Sequence, residues 1–303
     1  ELPSWLGPRR TLGGFWIVRP LGAGAASTVF VAKRIEERAE PQAELFALKV
    51  PEYDGAAARS LSEQEFLAIF RAEASALLGL PSDPNLARFV TFDLAARPKP
   101  ILVMELIEGP TLDRFLTTQL STSTERMKMG RALSILDGVA AGLEVMHAHG
   151  IGHLDVKPSN VILRNGLTPT LVDFGLAGRH IRPGCATGSY GAPEVWGLAL
   201  EEHGTLSPLP ADVYSFGALV FEVITGQVLF EGDSELNIIA RHLLHDGHPE
   251  RLDRLRAVRP LVELLEHTLR RNPRDRWTMS QVRRALAAIA RHVDDFPWPF
   301  GIG

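Results

Sequence analysis

The stretch His153-Leu154-Asp155-Val156-Lys157-Pro158-Ser159-Asn160 decides how the rest of the chain is read. Eighteen residues beyond Asp155 comes Asp173-Phe174-Gly175, and nineteen beyond Asp173 comes Ala192-Pro193-Glu194. All three lie in a loop-rich segment, 150–193, dense in His, Asp, Lys, Asn and Gly, the residue types that carry chemistry. Upstream, apolar runs at 16–18, 28–31 and 45–48 read as three strands. Turn signals at Gly22-Ala23-Gly24 and at 36–42 predict two antiparallel hairpin connections between them. Residues 63–78 place Phe66, Ile69, Phe70 and Leu77 at helical spacing, stopped by Gly79 and Pro81, and two more strands follow near 89–92 and 101–104. The segment 126–147 reads as a long amphipathic helix, and 211–225, 236–244, 261–269 and 280–289 as further helices. A small sheet-rich part ahead of a large helical one, with the reactive residues beyond the junction, predicts an α+β fold of two lobes around a cleft.

The expected boundaries are an N-terminal extension at 1–14, a small lobe at 15–107, a large lobe at 108–292 and a tail at 293–303. The tail sets Phe296, Trp298 and Phe300 between prolines, so it cannot be a regular helix; it is either packed on the large lobe or the start of a linker. Of the 303 residues, 45% are hydrophobic and 22% charged, close to the globular average, which argues against disorder and fibrous repeats. Lys and Arg number 32 against 36 Asp and Glu, a net charge of −4, which argues against a general nucleic-acid binder. Cys185 is the only cysteine, so an intrachain disulfide, a Cys-based zinc site and an iron–sulfur cluster are excluded. There is no run of 18 apolar residues to span a bilayer. A start at Glu1 rather than Met reads as a piece of a longer protein, and the expected location is the cytoplasm. Alanine- and arginine-rich wording at 56–58 and 283–288 points to a GC-rich bacterial source.

The order and spacing of the motifs resemble the protein kinase family, in particular the eukaryotic-like Ser/Thr kinases, over about 15–292. The resemblance implies a small antiparallel sheet lobe carrying one helix, a larger helical lobe, ATP and Mg²⁺ as cofactors, and transfer of the γ-phosphoryl group to Ser/Thr hydroxyls of a protein substrate. It assigns Lys49 to the α/β-phosphates, with Glu73 as its ion-pair partner; Glu63 and Glu65 share that segment, but Glu73 is on the apolar face. Asp173 and Asn160 become the magnesium ligands, since Mg²⁺ prefers hard oxygen donors. Asp155 orients the acceptor hydroxyl and takes its proton, and Lys157 offsets charge on the transferred group. Gly22 and Gly24 belong to the phosphate-covering turn. Val29, Ala47 and Ile162 sandwich the adenine, Met104 backs it, and Glu105 and Leu106 offer backbone groups to its edge. Leu77, Phe89, His153 and Phe174 form a packed column, which makes His153 structural. Glu194 and Arg276 form an internal ion pair, and Asp212 caps backbone N–H groups of the catalytic loop.

Three departures stand out. Ser27 takes the place of a third glycine in the turn. Leu154 replaces the arginine that commonly receives a loop phosphate, and no Ser, Thr or Tyr lies between Gly175 and Thr187. Receptor and modification site are missing together, so activity independent of loop phosphorylation is expected. Thr187 is read as hydrogen-bonded to Asp155 and Lys157 rather than modified, and Cys185 as an inert thiol. Two other functions compete. A pseudokinase scaffold would have lost one of Lys49, Asp155, Asn160 or Asp173, and a small-molecule kinase would lack Lys157 and the Ala-Pro-Glu motif.

Overall fold

A computed structural model describes residues 2–23, 27–53, 62–121, 127–197, 207–245, 247–256, 258–293 and 296–300. The chain divides into two compact units, one of Glu1–Ser82 with Ala87–Ile107 and the other of Asp83–Leu86 with Glu108–Gly303. The α+β class holds.

The first unit is a six-stranded sheet with one long helix. Its strands are β1 (Thr11–Leu12), β2 (Phe15–Ala23), β3 (Ser27–Arg34), β4 (Phe46–Pro51), β5 (Phe89–Asp93) and β6 (Ile101–Glu105), in spatial order β1-β2-β3-β4-β6-β5. All pairings are antiparallel, and both predicted hairpin connections are present. Side-chain alternation sorts the sheet into two faces. Phe30, Ala32, Phe46, Leu48, Val50 and Val103 fall on one and enter the core with Phe15, Ile17 and Ile101. Val29, Ala47, Lys49 and Met104 fall on the other, because Val29 is opposite Lys49 and Ala47 opposite Met104. The segment before residue 15 is more than an extension. Leu6 and Leu12 join the core, and Trp5 meets the Phe30 ring edge-on at 6.0 Å.

Helix α1 (Glu63–Leu78) starts on a capping box: the Glu65 N–H donates to Ser62 Oγ at 3.3 Å, while the Ser62 N–H donates back to Glu65 Oε2 at 2.8 Å. Its buried stripe is Phe66, Phe70, Glu73, Ala74 and Leu77, spaced as a helix face requires.

The second unit contains α2 (Leu112–Ser121), α3 (Met129–Ala148), β7 (Val161–Arg164), β8 (Thr168–Leu171), α4 (Leu209–Thr225), α5 (Glu235–Leu244), α6 (Arg259–Thr268) and α7 (Met279–Val293). Helix α4 is buried on nearly every side, from Ala211 to Thr225, as a central helix must be when other elements cover it all round. Two glycines bring α3 against the β7–β8 hairpin. A Cβ on Gly138 would stand 2.4 Å from Pro169 Cγ, and one on Gly142 would stand 2.9 Å from the Asn85 carbonyl oxygen.

The α3 helix begins at Met129, later than the predicted 126; positions 122–126 lie outside the described residues. The tail packs within this unit. Trp298 is 1% exposed and its indole N–H donates to the Val223 carbonyl at 2.5 Å, while the Phe300 N–H donates to Ile224 O at 2.9 Å. Both acceptors belong to the last turn of α4, where carbonyls have no partner within the helix. At the other end of the tail, Phe296 O accepts the first N–H of α3, from Met129, at 3.1 Å.

Candidate active site

In the first unit, Lys49 sits mid-strand in β4 and reaches across to α1, where its Nζ meets Glu73 Oε1 at 2.8 Å; both side chains are under a tenth exposed. Glu63 and Glu65 are spent on the helix start, which leaves Glu73 as the ion-pair partner. Gly22 lies within β2 opposite Val29 rather than in the turn itself, and a Cβ there would meet nothing within 4 Å. Its bare backbone therefore leaves a ligand room to approach closely. Gly24, the second glycine of that turn, lies outside the described residues. The Glu105 N–H is already engaged, donating to the Arg88 carbonyl at 2.9 Å, and Leu106 follows the last residue of β6.

In the second unit, Asp155, Lys157 and Thr187 close a triangle. Thr187 Oγ1 donates to Asp155 Oδ1 at 2.8 Å, Lys157 Nζ donates to Thr187 Oγ1 at 2.8 Å, and Lys157 Nζ is 2.8 Å from Asp155 Oδ2. Asn160 Nδ2 donates to both the backbone and the side chain of Asp155 at 2.9 Å, so its Oδ1 is the end left to face a cation. The hairpin places Asp173 nearby. Val161 pairs with Leu171, the Val172 N–H donates to Asn160 O at 2.9 Å, and Asp173 follows, exposed, at φ 58°. Ile162 is on β7 beside this pair.

The loop is held from below by Asp212, fully buried near the start of α4. Its Oδ1 accepts the Leu154 N–H at 2.7 Å, and its Oδ2 accepts the His153 N–H at 2.7 Å and a His147 Nε2 contact at 2.9 Å. Leu154 itself is buried at φ 63°, a backbone conformation that costs an L-residue energy and is imposed here by Asp212. His153 Nδ1 accepts the Asp155 N–H at 3.3 Å, so its proton sits on Nε2 and is donated to the Val172 carbonyl at 3.2 Å. Its ring packs on Phe174 at 5.3 Å, so His153 is a structural residue; Leu77 and Phe89 belong to the other unit.

The Glu194–Arg276 pair is bidentate, at 2.6 and 2.8 Å, with neither side chain exposed. Three backbone carbonyls, of Arg270, Arg271 and Pro210, take the remaining guanidinium donors. A buried charge pair needs that degree of saturation. A protein kinase domain match covers residues 15–286. The chain belongs to the protein kinase family. The kinase domain is 32% identical over 302 residues to the serine/threonine-protein kinase PkaA of Streptomyces coelicolor, covering 94% of this chain and 51% of that one. It is 31% identical to PknL of Mycobacterium tuberculosis, covering 90% of this chain and 65% of the relative. To pkn2 of Myxococcus xanthus it is 32% identical, covering 76% and 26%. The chain thus spans from about a quarter to two-thirds of these relatives' lengths.

The sequence gives no direct sign of one contact beside this site. The Tyr190 hydroxyl, three residues past Thr187, donates to Glu222 Oε2 on α4 at 2.6 Å. Burial and the Glu222 charge push the phenol far above its ordinary range. Burial raises the Glu222 carboxyl, against the Tyr190 hydrogen bond that lowers it, and Asp113 raises it further. The signal was present only as a glutamate among apolar residues of a buried helix. Among the described residues no cluster of three His, Cys, Asp or Glu side chains could hold a metal, so a cation here would depend on Asp173, Asn160 and the ligand's own oxygens.

Proposed function

We propose that this kinase domain transfers the γ-phosphoryl group of ATP to Ser or Thr hydroxyls of protein substrates, with Mg²⁺. The observation that carries the reading is the Asp155–Lys157–Thr187 triangle, which sets a carboxylate acceptor and an ammonium around a hydroxyl. An acceptor hydroxyl entering there would give its proton to Asp155 while Lys157 faces the charge on the transferred group. Lys49, steadied by Glu73, would bind the α/β-phosphates. Asp173 and the free oxygen of Asn160 would hold the magnesium, whose contribution is to neutralise phosphate charge.

Activity without loop phosphorylation is part of the reading. Gly152 and Gly178 exchange backbone hydrogen bonds at 2.9 and 3.0 Å, the Gly184 N–H donates to Val195 O at 2.8 Å, and Arg182 donates to Gly175 O at 3.2 Å. These contacts support the reading by tying the segment to its neighbours, and Leu154, buried and apolar, offers no cation to a loop phosphate. Labelled ATP, Mg²⁺ and a basic acceptor protein test the proposal, with Asp155→Asn and Lys49→Met as controls. The wild type should label the acceptor, and Asp155→Asn should transfer about 10³-fold more slowly while still binding ATP. ATP binding with no transfer by any form would overturn the reading in favour of a scaffold. Phosphatase-treated protein should keep full activity; inactivation reversed by rephosphorylation of this loop, at Thr187, Ser189 or Tyr190, would refute phosphate independence.

A further inference from the structure

The one residue that α5 buries is a histidine. His242 is 0% exposed, and the Phe230 ring edge lies against it at 4.7 Å. A polar group at that depth costs free energy unless its atoms are paired, and His242 is one link of a connected series. Its Nε2 is 3.0 Å from the Ser189 carbonyl, which can only accept, so Nε2 carries the proton. Nδ1 is therefore an acceptor, and the Tyr214 hydroxyl donates to it at 2.9 Å. The Tyr214 oxygen in turn faces His245 Nε2 at 2.6 Å, and His245 Nδ1 accepts the Gly247 N–H at 3.0 Å, which puts the His245 proton on Nε2. Every donor points the same way along the series, from Gly247 to Ser189. Burial pulls His242 down to about 4, which keeps Nδ1 an acceptor.

The end of this relay matters. Ser189 lies between Thr187, bound to Asp155 and Lys157, and Tyr190, bound to Glu222. The turn closes with the Tyr190 and Gly191 N–H groups on Thr187 O at 3.0 and 2.9 Å. Tyr214 also lies under Arg276, whose guanidinium carbon is 4.9 Å from the ring centre, so it touches the Glu194–Arg276 pair as well.

We propose that Tyr214 and His242 are positioning residues for the protein acceptor, fixing the Ser189 carbonyl and with it the turn that receives peptide beside Asp155. The proposal rests on the protein kinase reading above. Tyr214→Phe and His242→Leu should each raise the peptide KM about 5-fold, with the ATP KM and kcat unchanged, as expected for one buried hydrogen bond. His242→Gln can donate to Ser189 and accept from Tyr214, and should restore the peptide KM. An unchanged peptide KM, or equal losses in kcat and both KM values, would overturn the proposal. The ¹³C shift of the Ser189 carbonyl reads the same relay without activity, and should move in Tyr214→Phe. If wild type transfers nothing, the kinase reading falls and this shift alone decides: movement supports the relay, and no movement, or a His242 proton found on Nδ1, refutes it.

Discussion

Thr187 shows how much a single hydroxyl can hold. It is the third corner of the Asp155–Lys157 pair and the first residue of the turn that Ser189 and Tyr190 complete. Thr187 fixes Asp155 and Lys157 against each other, so Thr187→Val should lower kcat at least about tenfold through misplacement. The loss of hydrogen bonds to charged groups, about 1.5–3 kcal/mol, should lower the thermal midpoint as well. Steady-state kinetics beside a melting curve separates the two effects. Arg276 presents the opposite case. Arg276→Met leaves the Glu194 carboxylate buried without its partner and should cost about 3–5 kcal/mol in urea unfolding, whereas adding Glu194→Leu should recover most of it. His242 brings a pH dependence. Folding holds it near 4 against an ordinary 6.5, so between those values the unfolded chain binds more protons than the folded one. Its contribution is complete above pH 6.5, falls as pH drops toward 4, and amounts to about 3 kcal/mol at the limit. The pH slope of the urea midpoint should shrink in His242→Gln; an identical slope would show that His242 is not held neutral.

At the scale of elements, the sequence was legible where one period or one cap dominates. Residues 63–78 announced α1 through apolar spacing and a terminal glycine, and the three strands before it were announced by short apolar runs and turn residues. Besides the two-residue β1, the β7–β8 hairpin and helix α2 escaped. The β7–β8 strands have only four residues each, within a segment already given to loop chemistry, although Asn165 and Gly166 (φ 52° and 71°) are a strong hairpin signal. Helix α2 went unassigned; Thr117, Thr118 and Ser121 are weak helix formers, yet their hydroxyls donate back to carbonyls a turn earlier. The motif residues were legible as a set because their order and spacing are fixed. Partners such as Glu222 and His242 were not, since a lone polar residue in a helix carries no mark of what folds against it. The hairpin brings together Asn160 and Asp173, the pair proposed to hold the cation. Gly138→Ala would gain about 1 kcal/mol of helix propensity, but its Cβ would overlap the Pro169 ring, so a net loss of about 1–3 kcal/mol is expected, together with lower activity. Denaturation midpoints and acceptor labelling check both; a stabilised, fully active variant would show that the hairpin can shift without harm.

Across the whole molecule, the switch from short apolar runs to helical spacing near residue 108 was readable, but the role of the tail was not. Prolines could exclude a helix there, and only tertiary structure could choose between packing and a linker. In the structure Trp298 is the largest fully buried side chain, and the tail bonds both the last turn of α4 and the first N–H of α3. Because α4 also carries Asp212, which holds the His153 and Leu154 backbone, the tail steadies the helix on which the loop of Asp155 rests. Trp298→Ala removes a buried indole and leaves the Val223 carbonyl without its donor, a loss of about 3–5 kcal/mol. Hydrogen exchange should report where that loss falls. Amides near Glu222–Gly226 and at the start of α3 should exchange faster, while those of β2, β3 and β4, which have their own core, should keep their protection. Uniform acceleration across all of these would mean that the two units open together and that the tail's effect is global rather than local.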